Sequence, residues 1–368
     1  MKKTAISIIA LTLISCDKTV QGEQEEFRDP YLWPFSETSI WNMPIGSDAE
    51  YVPALFEDVD KLRMTVDEDY IVMKPNAPLT KVYYSEAGWN KAKDRCEHNS
   101  TLLFEAPFPH DWIISSETWI GTTPNSGLAT LMPDGETIKQ TQPFAHCREG
   151  NVATSKAMAK DVNLYGEGIT GAHGGSRLSA IGGALRNHEL TPASGPVRHA
   201  LKVNVYASKN LYYDTETKGF RWPAGGADSQ AANIYGTIRQ APHNKECRMG
   251  ALLALPASLD IATLELKTEP ARILAAAFQD YGAYIVDNTA WDVFAIITEW
   301  SPDGRFIDEF RKNWGFNFST YGNDINASWA EDLKKIFSQL HIVVNNTEST
   351  IGGGGTPRQK LAPPFMEK

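Results

Sequence analysis

Across residues 197–206 apolar and polar positions alternate. Val197, His199, Leu201, Val203 and Val205 share one parity, and Arg198, Lys202, Asn204 and Tyr206 the other. A period of two marks a strand with one inward face, so this segment predicts the clearest strand of the chain. Shorter β-rich runs stand at residues 101–104, 112–114, 252–255, 261–266 and 341–344. Residues 129–132 and 137–141 flank Pro133-Asp134-Gly135, a turn sequence that predicts a hairpin. Helical spacing appears in three places. Val52, Leu55, Phe56, Val59 and Leu62 predict a short amphipathic helix over 51–64. Thr268-Glu269-Pro270 opens a second, with Ile273, Leu274, Ala277 and Phe278 on one face and Gly282 at its stop. Ser328-Trp329-Ala330-Glu331 reads as a capping box for a third, which carries Leu333, Ile336, Phe337 and Leu340. Residues 283–286 and 293–297 read as a hairpin around Asp287-Asn288.

No internal repeat and no break in composition interrupts residues 27–346. The expectation is one globular α+β domain with an antiparallel β core, sandwich- or barrel-like, and peripheral helices. The aromatic and proline-rich residues 27–45 form an extended entry segment. Residues 347–368, with four consecutive glycines from Gly352, read as a flexible tail.

The start of the chain adds an address. Lys2 and Lys3 precede an apolar run over 5–14, too short to cross a bilayer, that ends in Leu13-Ile14-Ser15-Cys16. This resembles a bacterial lipoprotein signal. The resemblance implies removal of residues 1–15, lipidation of Cys16, an acidic tether over 16–26 and residence in the cell envelope, at the outer membrane or cell surface. The anchor would be the sole membrane contact. A net charge of −10 argues against a nucleic-acid partner. Outside the cytoplasm Cys96, Cys147 and Cys247 allow one disulfide; Cys96–Cys147 is the favoured pairing, against three reduced buried thiols. No CxxC occurs, and His98, His110, His146 and His243 lack the spacing of a metal motif. No cofactor is expected, although calcium on scattered carboxylates stays open as a structural ion.

The chemistry concentrates in residues 161–206. Seven glycines fall from Gly166 to Gly183, among Asp161, Glu167, His173 and Arg177, with Arg186, His188 and Glu189 just after. Such density suits a shaped loop that brings backbone close to a ligand or to another strand. Gly166 to Gly171 spells GxGxxG, but without a βαβ context that match carries no dinucleotide reading. His173 lies between glycines, exposed and with room for a ligand, against the plainer role of a solvated turn residue. His199 shares the inward parity of its strand, where it serves a cleft or a satisfied core. Asp228 follows Trp222 and two glycines in a loop that suits a sugar, since aromatic faces pack on sugar rings. Asn313 to Phe318, including Trp314 and Asn317, resembles a second such loop. No GxSxG elbow is present, which sets serine hydrolases aside.

Several of these motifs together resemble a broad family of secreted bacterial proteins with no assigned reaction. They are Trp41-Asn42-Met43-Pro44, the Gly-rich run ending in Leu185-Arg186 with Glu189, Arg198-His199-Ala200-Leu201, and Tyr281-Gly282 leading to Asp287-Asn288. The likeness covers roughly residues 35–300, apart from 83–158, and implies a secreted single domain without a catalytic assignment.

The functional expectation is a lipid-anchored envelope enzyme that cleaves glycosidic bonds of a polysaccharide. Hydrolysis by paired carboxylates is favoured over elimination, which would draw on His173 or His199 as base with Arg177, or on Tyr165 or Tyr206. The candidate catalytic set is Asp161, Glu167, His173, His199 and Asp228, with Arg177, Trp222, Trp314 and Asn317 binding the glycan. The competing classes are a non-catalytic glycan-binding lipoprotein and a structural envelope protein.

Overall fold

The protein is described by a computed structural model over residues 27–58, 64–90, 92–114, 124–289, 291–322 and 324–366. The expected leader and tether, with Cys16, lie outside the described residues. The strands in chain order are β1 (Tyr51–Pro53), β2 (Met64–Val72), β3 (Leu79–Tyr84), β4 (Leu102–Pro107), β5 (Leu128–Leu131), β6 (Thr137–Ala145), β7 (Val152–Met158), β8 (Val162–Asn163) and β9 (Thr170–His173). They continue with β10 (Leu201–Val205), β11 (Leu252–Ala254), β12 (Ala283–Asn288), β13 (Phe294–Ser301), β14 (Gly304–Arg305) and β15 (His341–Val343). All but β9 join one mixed sheet in the order β1-β15-β11-β12-β10-β13-β2-β5-β6-β7-β3-β4, with β14 on β13 and β8 on β6. Pairing is antiparallel except at β10–β12, β13–β2, β2–β5 and β3–β7. The helices are the single turns α1 (Ala207–Asn210) and α2 (Ala231–Ile234), then α3 (Glu269–Asp280), α4 (Phe306–Trp314) and α5 (Ala327–Ser338). This is the β-rich core with peripheral helices that the sequence predicts.

The two faces of the central strands are covered differently. Leu201, Val203 and Val205 of β10 pack with Ala283 and Ile285 of β12 against Leu274 and Phe278 of α3, Phe310 of α4, and Trp329, Leu333 and Phe337 of α5. The opposite face carries Ile71 of β2, Tyr284 and Val286 of β12 and Ile297 of β13. No helix covers it. Trp41 and Ile45 of the entry segment and Leu178, Ala180 and Ile181 of the Gly-rich stretch lie there instead. Because successive strand residues point to opposite faces, Asp67 and Asp69 join Ile71 on this second face. Lys202 and Asn204, between the apolar residues of β10, point the same way. A loop layer therefore closes over a polar strip.

Glycine is what lets that layer sit so close. A Cβ on Gly182 would fall 2.4 Å from Trp41 Nε1, and one on Gly183 2.6 Å from the same ring. Trp41 Nε1 donates to Gly168 O at 2.8 Å. From β6, Gln140 accepts from Ala180 N at 2.7 Å and donates to Thr170 O at 3.2 Å, which staples the layer to the sheet.

The structure corrects several expected elements. Residues 51–53 form β1, residues 54–58 are not helical, and 59–63 lie outside the described residues. Residues 112–114 contribute only a bridge from Ile114 to His146. The strand expected over 197–206 begins at Leu201, because Ala200 N donates to Trp41 O at 2.7 Å rather than to the sheet. Residues 261–264 form a 3₁₀ turn, capped by Asp260 as it accepts from Ala262 N at 3.0 Å. β12 and β13 are not a hairpin: β10 lies between them, parallel to one and antiparallel to the other. The cap of α5 is Asn326, which accepts from Trp329 N at 3.0 Å. The segment after Glu348, expected to be flexible, packs on the entry segment: Gly46 N donates to Gly352 O and Arg28 N to Pro364 O, both at 3.0 Å. Cys96 and Cys147 form the favoured disulfide, and Cys247 is free and buried.

Candidate functional site

The polar strip is built around Asp69, which is 1 % exposed. Its Oδ2 accepts from His173 Nδ1 at 2.8 Å and from Lys202 Nζ at 2.6 Å. Lys202, with no exposed surface, also donates to Ser179 O at 2.7 Å. Two residues along β2, Asp67 Oδ2 accepts from Asn204 Nδ2 at 2.9 Å. The same oxygen lies 3.9 Å from His173 Nε2. His173 Nε2 is buried without a hydrogen-bond partner among the described residues. Asp67, His173 and Asp287 each bring a ligand atom within 4.8 Å of the other two. The Asp67 side chain keeps 38 % exposure, so the cluster opens to solvent on its side.

His173 ends β9, and the turn Gly174-Gly175 follows. Ser176 Oγ donates back to His173 O at 3.0 Å, and Ser176 N donates to Val286 O at 3.2 Å. The turn is thus pinned to β12 just before Asp287. Gly174 has φ of +51°, and a Cβ there would lie 2.2 Å from Asp287 Cγ. Gly175 N donates to Asp287 Oδ1 at 3.1 Å, and a Cβ on Gly175 would meet Asp228 Oδ1 at 2.9 Å. The two glycines therefore let the His173, Asp287 and Asp228 side chains converge. Tyr235 donates to Asp228 Oδ2 at 2.7 Å from the end of α2. Gln142 Oε1 holds Gly174 N at 3.1 Å.

Protonation follows from burial and pairing. Burial works to raise Asp69, but His173 and Lys202 outweigh it and hold the carboxyl below its ordinary range. Burial lowers Lys202, partly offset by Asp69. It also disfavours the charged form of His173, yet Asp69 leaves that pKa raised. Desolvation lifts Asp67 and Asp228. Asp287 is pushed up to about 7 by burial and by the neighbouring Asp228 carboxylate.

Of the residues singled out in the sequence, His173 and Asp228 come together here. Arg177 is close by: Gly226, two residues before Asp228, lies against its guanidinium, and Nη1 donates to Gly225 O at 3.4 Å. The others do not join. Asp161 forms a surface pair with Lys139 at 2.6 Å. Glu167 is exposed and accepts from Ser36 Oγ at 2.8 Å, holding the entry segment. His199 is buried but bound to Glu189 at 3.0 Å and to Ala200 O at 2.9 Å. That ring belongs to a network in which Arg186 ties Glu299 to the backbone of Tyr31 and Leu32. Trp222 packs into the apolar layer of the second face. Trp314 donates to Leu190 O at 2.7 Å and packs in the helical layer on the other face. Asn317 lines a shallow recess with Arg311 and Phe316, both on or just after α4. The second aromatic loop is therefore packing under helices and is not part of this centre.

Sequence reasoning missed Asp67, Asp69, Lys202, Asn204, Tyr235 and Asp287 as site residues. The available signal was the second parity of β10, with Lys202 and Asn204, together with the Asp-x-Asp of residues 67–69 in a run bounded by apolar residues. A cavity of about 240 Å³ lies beside α5, lined in part by Phe56, Phe294, Leu333 and Phe337. Among the described residues, its ionisable lining groups Glu57, Asp58, Lys334 and His341 are not buried, so the chemistry is assigned to the polar strip. Compared with protein-family models, with curated proteins and with solved structures, the chain matches none.

Proposed function

We propose that the protein is an enzyme that cleaves glycosidic bonds of a polysaccharide, with its chemistry at the Asp67, His173, Asp228 and Asp287 centre. One observation carries this reading: four ionisable side chains from β2, β9, β12 and the loop before α2 converge on a glycine turn beside a solvent-facing carboxylate. Hydrolysis adds water across the C–O bond, which needs one group to protonate the leaving oxygen and another to take a proton from water. In this reading Asp228, oriented by Tyr235, is one of the two proton-transfer groups, and one of Asp67, His173 and Asp287 is the other. Arg177 lies across the same loop as a contact for acidic or hydroxyl groups of the glycan. Trp291, four residues beyond Asp287, makes an exposed edge-to-face pair with Tyr321 at 4.8 Å, an apolar surface of the kind sugar rings cover. The lipoprotein-like start supports an envelope location and a glycan outside the cytoplasm.

The test is incubation of the purified full chain with neutral and uronic-acid polysaccharides, reading reducing ends and ultraviolet absorbance of unsaturated uronates together. Reducing ends without absorbance are expected, and D228N should lower the rate about 10²- to 10⁴-fold. Absorbance with reducing ends would replace hydrolysis by elimination. Retention on a glycan with no cleavage would replace the enzyme by a binding protein.

A further inference from the structure

We infer that Asp67, His173 and Asp287 bind a divalent first-row transition metal ion. The three side chains offer two carboxylate oxygens and one imidazole nitrogen, all within 4.8 Å of one another. An acidic cluster alone would not imply an ion. The independent observation is His173, which is 2 % exposed and keeps its Nε2 without a partner among the described residues. A buried imidazole nitrogen left unpaired costs stability, so its position facing Asp67 Oδ2 at 3.9 Å calls for a ligand. The other ring nitrogen is already spoken for. Nδ1 donates to Asp69 Oδ2 at 2.8 Å, so Nε2 is the nitrogen left for an ion, which displaces any proton there on binding. A carboxylate behind the histidine is the outer-shell arrangement that orients metal-bound imidazoles. The oxygen ligands are also held from behind: Asn204 Nδ2 donates to Asp67, and Gly175 N to Asp287.

Donor chemistry selects the ion. One nitrogen with two carboxylates suits zinc or manganese better than calcium, which takes six to eight oxygens. Ligand bonds of about 2.0–2.2 Å require donor atoms roughly 3–3.5 Å apart. Asp67 Oδ2 must then draw in on His173 Nε2 from 3.9 Å by about half an ångström, and a donor pair at the 4.8 Å limit must close by about 1.3–1.8 Å. Three protein ligands leave a position open for water or substrate. The inference deepens the proposed function, since the same centre would hold the ion while Asp228 remains for proton transfer. It is tested by binding alone, so either can fail without the other.

The experiment is titration of the chelator-treated full chain with zinc(II) by calorimetry and with manganese(II) by electron paramagnetic resonance, without any glycan. One ion per chain is expected for at least one of the two metals. Binding should weaken at least about 100-fold in H173Q and D287N, consistent with loss of one ligand, and stay unchanged in E189Q, in a separate network. Circular dichroism checks that the variants fold. If the buried substitutions unfold the chain, D67N at the partly exposed ligand carries the same expectation. Absence of saturable binding of both ions to the parent chain overturns the inference. So does binding that survives H173Q, D287N or D67N in folded protein.

Discussion

His173 and Asp69 are 104 residues apart in sequence, and their side chains meet at 2.8 Å with both buried. Lys202 reaches the same Asp69 oxygen at 2.6 Å. One carboxylate thus supports two buried donor groups beneath a layer of loop.

Removing that carboxylate should be severe. Asp69→Ala leaves the ammonium of Lys202 and the ring of His173 without their shared acceptor. Breaking a buried pair by deleting one partner costs about 3–5 kcal/mol. The expected outcome is a loss of that size in guanidinium unfolding at neutral pH. The double variant D69N/K202M, which removes the charge on both sides, should recover much of it. Equal losses in the single and double variants would mean that the pair is not coupled.

Gly174 tests the turn. Its φ of +51° and the 2.2 Å approach to Asp287 Cγ both forbid a side chain. Gly135 has φ of +71° in the β5–β6 turn, with nothing within 4 Å of a built Cβ. G135A should therefore report the backbone strain alone, about 1–2 kcal/mol. G174A should lose clearly more and should also disturb Asp287. Equal losses in thermal or chemical unfolding would show that the close approach is relaxed without penalty.

Much of the β architecture could be read from the chain, and most of the site could not. The β5–β6 hairpin was legible because Pro133-Asp134-Gly135 is local turn chemistry. Helix α3 was legible from Pro270 and its apolar spacing. Long-range pairing was not: nothing in residues 283–297 announces that β10 inserts between β12 and β13. His173 and Asp228 were legible from their glycine neighbours, but His173, expected to be exposed, is buried because those glycines let the layer close over it. Asp67, Asp69 and Asp287 became site residues only through sheet order, which sets β12, β10, β13 and β2 next to one another in that sequence. His199 misled because inward parity is equally satisfied by a structural ion pair.

The disulfide joins residues 51 apart in sequence. In the chain-entropy picture a closed loop of that length stabilises by about 4 kcal/mol. C96S/C147S should therefore unfold at lower denaturant with a loss of that order, read against a C247S control. Cys247 is buried and unpaired, so its replacement should act only through local packing. A double variant as stable as the parent would mean that the β3–β4 end of the sheet does not rely on the cross-link.

The pair of His199 and Glu189 predicts a pH dependence with a definite sign. Both ring nitrogens of His199 face acceptors: Nδ1 meets Ala200 O at 2.9 Å and Nε2 meets Glu189 Oε2 at 3.0 Å. Only the imidazolium donates from both positions. Burial opposes that charge, but Glu189 outweighs it, and the pKa is raised from 6.5. A raised folded-state value contributes stability that is complete below 6.5 and is lost as pH climbs through the folded value. For Glu189, burial is outweighed by His199 and the pKa falls below 4.5. Its contribution is complete above 4.5 and is lost as pH drops through the folded value. The pair therefore supports the fold most between those two ordinary values. In urea unfolding from about pH 5 to about pH 9, the stability gap between the parent chain and H199Q should narrow as pH rises. A gap that stays constant over that range would mean that His199 is neutral in the folded protein and that its bond to Glu189 carries no charge.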